Sequence, residues 1–243
     1  GQRMPPSVPP ALQALQRSGV QVLLCTGRHA LEIEEENMLP GITVDGAVYM
    51  NGQLCELQGQ IVRETPIPAG DLSALKQFLQ KKNCSCIFLE KDRMYANCVN
   101  SRMEVEQAKI GTAVPAVRDI TDLENRRIYQ VIPFVNEEEE EALLRQMPHC
   151  RTKRWGAAVV DLMSRSGGKE NGIHALCAAI GITPEETIAF GDADNDLEML
   201  QLAGIGVAMG NALPQVRACA DMVTDTVEND GIAHALQKLK LIE

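Results

Sequence analysis

The chain reads as an α/β protein, a Rossmann-like parallel sheet core carrying an inserted α+β cap domain. Three observations predict this. At both ends of the chain, short apolar runs alternate with amphipathic stretches of helical length, the pattern of a parallel sheet with helices on both faces. A central stretch departs from that pattern with paired strands at hairpin-like spacing. Residues 187–200, TIAFGDADNDLEML, run from an apolar strand through Gly191 to Asp192, Asp194, Asn195 and Asp196, and then into an amphipathic helix.

Taken in order, residues 1–10 hold four prolines and read as a loop. Ser7 is the expected N-cap of a helix with prolines in its first turn. Val8, Ala11, Leu12 and Leu15 recur at helical spacing, and Gly19 marks a stop. Residues 20–25 form a buried-strand run that leads straight into Thr26-Gly27-Arg28 and a new helix. Residues 42–49 are a second apolar segment, with turns at Asp45-Gly46 and Asn51-Gly52. The latter, followed by residues 54–57, predicts a hairpin.

From about Pro66 the spacing predicts a helix over 69–82, strands over 84–89 and 94–99, and a helix over 101–110. A β-branched strand over 127–135 follows. Asn136 and the five glutamates at 137–141 then open a third helix, where acidic side chains face the positive end of the helix dipole. A strand over 157–163 closes the section. After Ser166-Gly167-Gly168 the alternation returns, with helices over 169–180, 196–203 and 214–220. Strands are expected over 187–190, 205–209 and 222–224, with a last helix beyond. The predicted organisation is therefore a core domain of 1–66 and 166–243 with a cap domain of 67–165.

Composition narrows the function. The 243 residues carry a net charge of -10 and only 3% aromatic side chains, the opposite of a nucleic-acid footprint, which is basic and offers stacking platforms. No apolar run approaches the roughly 18 residues of a membrane span, and the first residues do not read as the basic n-region and apolar h-region of a secretory signal. Eight cysteines lie scattered, mostly within apolar runs, and no pair of CxxC knuckles exists to hold zinc. Reduced thiols in a cytoplasmic protein are the expectation.

In open parallel sheets, ligands bind beyond the carboxyl ends of the strands. Two polar clusters fall there. The carboxylates at 192–196 repel one another unless a cation neutralises them, and hard oxygen ligands suit magnesium. An acidic turn capping a helix is the plainer alternative. Thr26 offers a hydroxyl and Gly27 a backbone N–H at a helix start, where anions are favoured; taken alone, Thr-Gly-Arg reads first as a plain helix cap. Lys169 opens a helix whose dipole disfavours a cation, so it is either solvated or repaid by a phosphate.

Together, Thr26, Lys169 and Gly191-Asp-Ala-Asp-Asn-Asp196 resemble motifs two, three and four of the haloacid dehalogenase-like phosphatases. Asn51-Gly52, the run Val207-Ala-Met-Gly-Asn211 and the inserted domain resemble the Cof-type branch, subclass IIB with a C2-type cap. The resemblance covers nearly the whole chain. It implies that Thr26 and the Gly27 amide bind the transferring phosphoryl group and that Lys169 neutralises its charge. It also implies that Asp192 coordinates Mg2+, that Asp196 supports the metal from the outer shell, and that Asn195 orients phosphate or substrate. Arg28, Asn51 and Gly52 join the substrate-binding set. Arg127, Arg154 and Trp155 are candidate cap contacts, with packing or surface roles as the alternative. The implied partner is a small phosphorylated metabolite such as a sugar phosphate.

The family's first motif, Asp-x-Asp-Gly-Thr/Val with the nucleophile as its first aspartate, has no counterpart in this sequence. Asp45 lies after the second motif and is not assigned that role. The expectation is a strand and loop upstream of residue 1 that carry the nucleophile, with the chain as printed inactive. Loss of the central strand would leave two sheet edges unpaired. Two rival readings are a catalytically silent phosphosugar-binding protein, which an upstream Asp-x-Asp would exclude, and a phosphomutase, which product analysis would separate.

Overall fold

The computed structural model describes residues 4–243, so the first three residues of the expected proline-rich loop lie outside the described residues. The chain divides into two compact units, one of Gly1–Arg63 with Gly168–Glu243 and one of Glu64–Gly167.

The first unit begins with α1 (Val8–Arg17), β1 (Leu23–Cys25), α2 (Ala30–Glu35), β2 (Gly46–Tyr49), β3 (Leu54–Leu57) and β4 (Gln60–Glu64). β1 pairs parallel to β2, and β2 pairs antiparallel to β3 with Tyr49 opposite Leu54. That hairpin turns through Met50, Asn51 and Gly52, whose φ angles of 49°, 55° and 86° are all left-handed. Asn and Gly tolerate that region best. Gly52 is further constrained: a Cβ there would stand 1.9 Å from the Gly168 carbonyl oxygen, so the hairpin presses directly on the chain entering the next core helix.

The unit resumes with α6 (Lys169–Ile180), β10 (Ile188–Gly191), α7 (Leu197–Leu202), β11 (Ile205–Ala208), α8 (Pro214–Cys219), β12 (Met222–Val223) and α9 (Gly231–Lys238). β10, β11 and β12 form a parallel sheet in that order. The predicted parallel core is present, but as two pieces. β1 and β10 each pair along one edge only, and among the described residues their other edges carry no backbone hydrogen bond. The residues of β1, and Ile188, Ala189 and Phe190 of β10, are only half-buried, whereas Ala47 and Val48 of β2 are 2% and 1% exposed.

α1 packs on α9 through Ala11, Leu15, Ala233 and Leu236, with Phe190 against them. Ser7 does not cap α1. Its backbone is already helical, and its hydroxyl donates 2.5 Å to the Asp230 carboxylate beside α9.

The inserted unit holds α3 (Ala69–Lys82), β5 (Cys86–Leu89), β6 (Met94–Ala96), α4 (Ser101–Ile110), β7 (Gln130–Pro133), α5 (Glu137–Leu144), β8 (Cys150–Gly156) and β9 (Val159–Ser164). Its antiparallel sheet runs β6-β5-β7-β9-β8. Leu72, Leu75 and Phe78 of α3 and Leu143 of α5 pack on Phe88, Val131, Val160 and Leu162. Asn136 and Glu139 form a reciprocal capping box at the start of α5, each accepting the other's backbone N–H at 2.9 Å. β8 escaped the sequence reading. It is an edge strand of sequence CRTKRWG, and the cations that protect an edge from mispairing also erase the apolar signal.

Arg154 of β8 is a packing residue of this unit. Its guanidinium donates to the Glu140 carboxylate and to the carbonyls of Val135, Gly156 and Ala157. Arg154→Ala would strand those acceptors. It is expected to lower stability by about 2–3 kcal/mol in urea unfolding; an unchanged midpoint would refute the assignment. Arg127 pairs with Glu64, and Trp155 stays exposed with its indole N–H donating 2.9 Å to Asp161.

Candidate functional site

A cavity of about 350 Å3 opens in the first unit beside the carboxyl ends of β1 and β10. Cys25, Phe190, Met209 and Ile232 supply apolar wall, while Thr26, Gly27, Lys169, Asp192, Asn195 and Asp196 supply the polar end.

Local structure explains how these side chains meet. The Thr26 N–H continues the β1–β2 ladder by donating 2.9 Å to the Val48 carbonyl. One residue on, the chain turns, and the Thr26 hydroxyl oxygen accepts the Arg28 N–H at 3.1 Å. The 50–52 turn fixes this loop from behind: Asn51 N–H donates to the Thr26 carbonyl and Met50 N–H to the Arg28 carbonyl, both at 3.1 Å. Asn51 is buried, and its side-chain carbonyl accepts from the Asn195 amide at 3.4 Å, joining the loops after β1 and β10.

The centre of the site is an ion pair. Lys169 Nζ donates 2.7 Å to Asp196 Oδ1, and the two side chains are 5% and 9% exposed. The other Asp196 oxygen accepts the N–H groups of Asp192 and Ala193 at 3.1 Å each. Lys169 is the first residue of α6, where the dipole opposes a cation, and Asp196 offsets that cost. With both oxygens occupied, Asp196 acts as a clamp that shapes the 192–196 loop. Asp192 is exposed, and its Oδ2 accepts from the Asn211 amide at 3.3 Å. Desolvation pushes the Cys25 thiol up to about 12, with Lys169 partly opposing the shift.

Of the residues singled out from sequence, Thr26, Gly27, Lys169, Asp192, Asn195 and Asp196 come together on one wall. Arg28, Asn51 and Gly52 are not on it. Arg28 reaches out to Glu36 at 3.2 Å, Asn51 supports Asn195 from behind, and Gly52 abuts Gly168. Asp194 turns aside to Gln215 at 2.8 Å. Asn211, which contacts Asp192 and accepts the Val227 N–H at 3.2 Å, was seen only as the end of the 207–211 run. The histidines add no ligand cluster. His29 is fully buried as the cap of α2, while His149 and His234 pair with Asp71 and Asp225.

An open α/β core with polar groups gathered beyond its strand ends is the layout of enzymes that bind ligands at that edge of the sheet. Comparison with known proteins identifies the class. The chain belongs to the haloacid dehalogenase-like hydrolase family, which matches residues 1–236. A Bacillus subtilis (strain 168) protein named "Putative phosphatase YkrA" is 30% identical over 241 residues, covering 99% of this chain and 92% of its own. A crystal structure of a hypothetical protein from Geobacillus kaustophilus HTA426 superposes with a TM-score of 0.90 at 34% identity, covering 98% and 92% of the two chains. The subclass IIB sugar phosphatase BT4131 superposes with a TM-score of 0.80 at 32% identity, covering 99% and 93%.

Proposed function

We propose that the complete protein is a magnesium-dependent phosphatase that hydrolyses small phosphomonoesters, sugar phosphates foremost, in the cytoplasm. One observation carries this reading: the buried Lys169–Asp196 pair opens onto the same cavity wall as the Thr26 hydroxyl and the Gly27 amide. In this arrangement Thr26 and Gly27 donate to phosphoryl oxygens, and the Lys169 ammonium offsets their charge. Asn195, steadied by Asn51, orients the phosphate. Positioning and charge neutralisation of this kind supply most of the catalysis in phosphoryl transfer. The name of BT4131 supports the sugar-phosphate class.

The donor set suits magnesium, which takes one or two protein carboxylates and leaves its other positions to phosphate and water. Asp192 is exposed, with a described hydrogen bond to only one carboxylate oxygen, and would hold the ion while Asp196 fixes its loop. When bound, the ion supplies additional positive charge beside the phosphoryl oxygens. The open edges of β1 and β10 leave room for a further strand, and an aspartate presented there would take the phosphoryl group from the ester as an aspartyl-phosphate while the alcohol departs. The unpaired edges support this placement. Among the described residues, no helix is long and apolar enough to cross a membrane.

The test is hydrolysis of a chromogenic phosphomonoester by the product of the complete coding sequence. Asp192→Ala and excess chelator are each expected to reduce activity to background. Full activity in either case would sink the metal assignment. Release of free phosphate supports a hydrolase, whereas an isomeric phosphate ester would indicate a mutase.

A further inference from the structure

We propose a second ligand site in the Glu64–Gly167 unit, a pocket that binds one small oxyanion, a carboxylate or phosphate group, on the guanidinium of Arg118. The pocket encloses about 490 Å3 and is walled by three arginines, Arg93, Arg118 and Arg126, and by Glu90, Asp119 and Asp122 around Tyr95. On a chain of net charge -10, this balance of cations and carboxylates removes the general repulsion an anion would meet.

The partners within the pocket decide which sign it accepts. Arg126 is engaged through both of its terminal nitrogens. It lies 5.2 Å over the Tyr95 ring, donates 2.8 Å to the Tyr95 oxygen and 2.8 Å to the Asp119 carbonyl, and pairs with Asp122. Tyr95, buried, donates 2.9 Å to Glu90, whose other oxygen lies 3.4 Å from Arg93. Asp119 accepts the Thr121 hydroxyl, which holds its carboxyl below the usual range. Each carboxylate of the wall therefore already has a donor or a cation beside it that offsets part of its charge. The Arg118 side chain has no described partner. The residue is exposed, and its backbone is held because residues 116–118 add to the edge of β6 through Ala96 N–H to the Ala116 carbonyl at 3.0 Å and Arg118 N–H to the Ala96 carbonyl at 2.9 Å. A guanidinium with a free fork on an ordered rim matches the two oxygens of a carboxylate or phosphate.

The site shares no residue with the Thr26–Lys169 cavity, so it stands or falls independently of the phosphatase reading. The experiment is an amide NMR titration of the protein with sodium malonate and, separately, sodium phosphate, against sodium chloride at matched ionic strength. Saturable shifts of the Arg93, Arg118 and Asp119 amides are expected with malonate, phosphate or both, and the tighter probe identifies the source of the oxyanion. Phosphate shifts near Gly27 and Lys169 report the other cavity and are counted separately. Arg118→Ala should weaken the cap response at least about tenfold while leaving the dispersion of the spectrum intact, and Arg118→Lys should retain part of it. Shifts that grow linearly without saturating, that sodium chloride reproduces, or that persist in Arg118→Ala would overturn the proposal.

Discussion

Lys169→Ala is expected to lower hydrolysis by the complete enzyme at least about a thousandfold, the scale on which a preorganised charge beside a developing phosphoryl anion acts. The same change removes the partner of a buried carboxylate. Leaving Asp196 without its cation is expected to cost about 3–5 kcal/mol, because an uncompensated buried charge is far worse than a missing pair. Loss of activity through misfolding and loss through chemistry are separable. Adding Asp196→Asn to Lys169→Ala replaces the stranded charge with an amide, so the double variant should recover most of the unfolding free energy and none of the rate. Urea unfolding beside steady-state kinetics reads both. A single variant that keeps its rate within tenfold of the parent would remove Lys169 from the catalytic set.

Gly52→Ala is expected to destabilise the first unit by about 2–4 kcal/mol, from left-handed backbone strain and forced overpacking together. The added methyl would meet the Gly168 carbonyl oxygen at 1.9 Å and its carbon at 2.3 Å, so backbone has to move. Either way the displacement reaches the site. The 50–52 turn holds the Thr26 loop through two backbone hydrogen bonds, and Gly168 directly precedes Lys169. Thermal unfolding checks the stability loss, and a melting midpoint equal to that of the parent would show that the turn yields freely.

Much of this was legible in the chain. The 192–196 carboxylates announce themselves by density, and Lys169 by a charge that its helix dipole opposes, so both members of the central ion pair were found before any geometry. Their pairing with each other was not foreseen, because spacing of 27 residues carries no information about direction. Arg28 shows the same gap. It sits in the right loop, yet its side chain turns to Glu36, a choice made by packing and solvent. Asn211 and Gln215 act as second partners of the acidic loop through contacts across 19 and 21 residues. β8 was lost because an edge strand suppresses apolar alternation, and Ser7 because a hydroxyl at a helix start can serve a distant carboxylate as readily as its own backbone.

The open seam between β1 and β10 bears on precision. Thr26 and Gly27 ride on one half-sheet, Asp192 and Asp196 on the other, and no ladder of hydrogen bonds links the two strands. Their separation rests on helix packing, with α6 lying against both β3 and α7, and on side-chain links that include the Asn51–Asn195 contact and the Lys169–Asp196 pair. A gap without a strand ladder behaves as a vernier: a shift of one half-sheet along the other changes the spacing between the Thr26 loop and the Asp192 carboxylate directly. The relative placement of the two half-sheets therefore sets the calibration of the site.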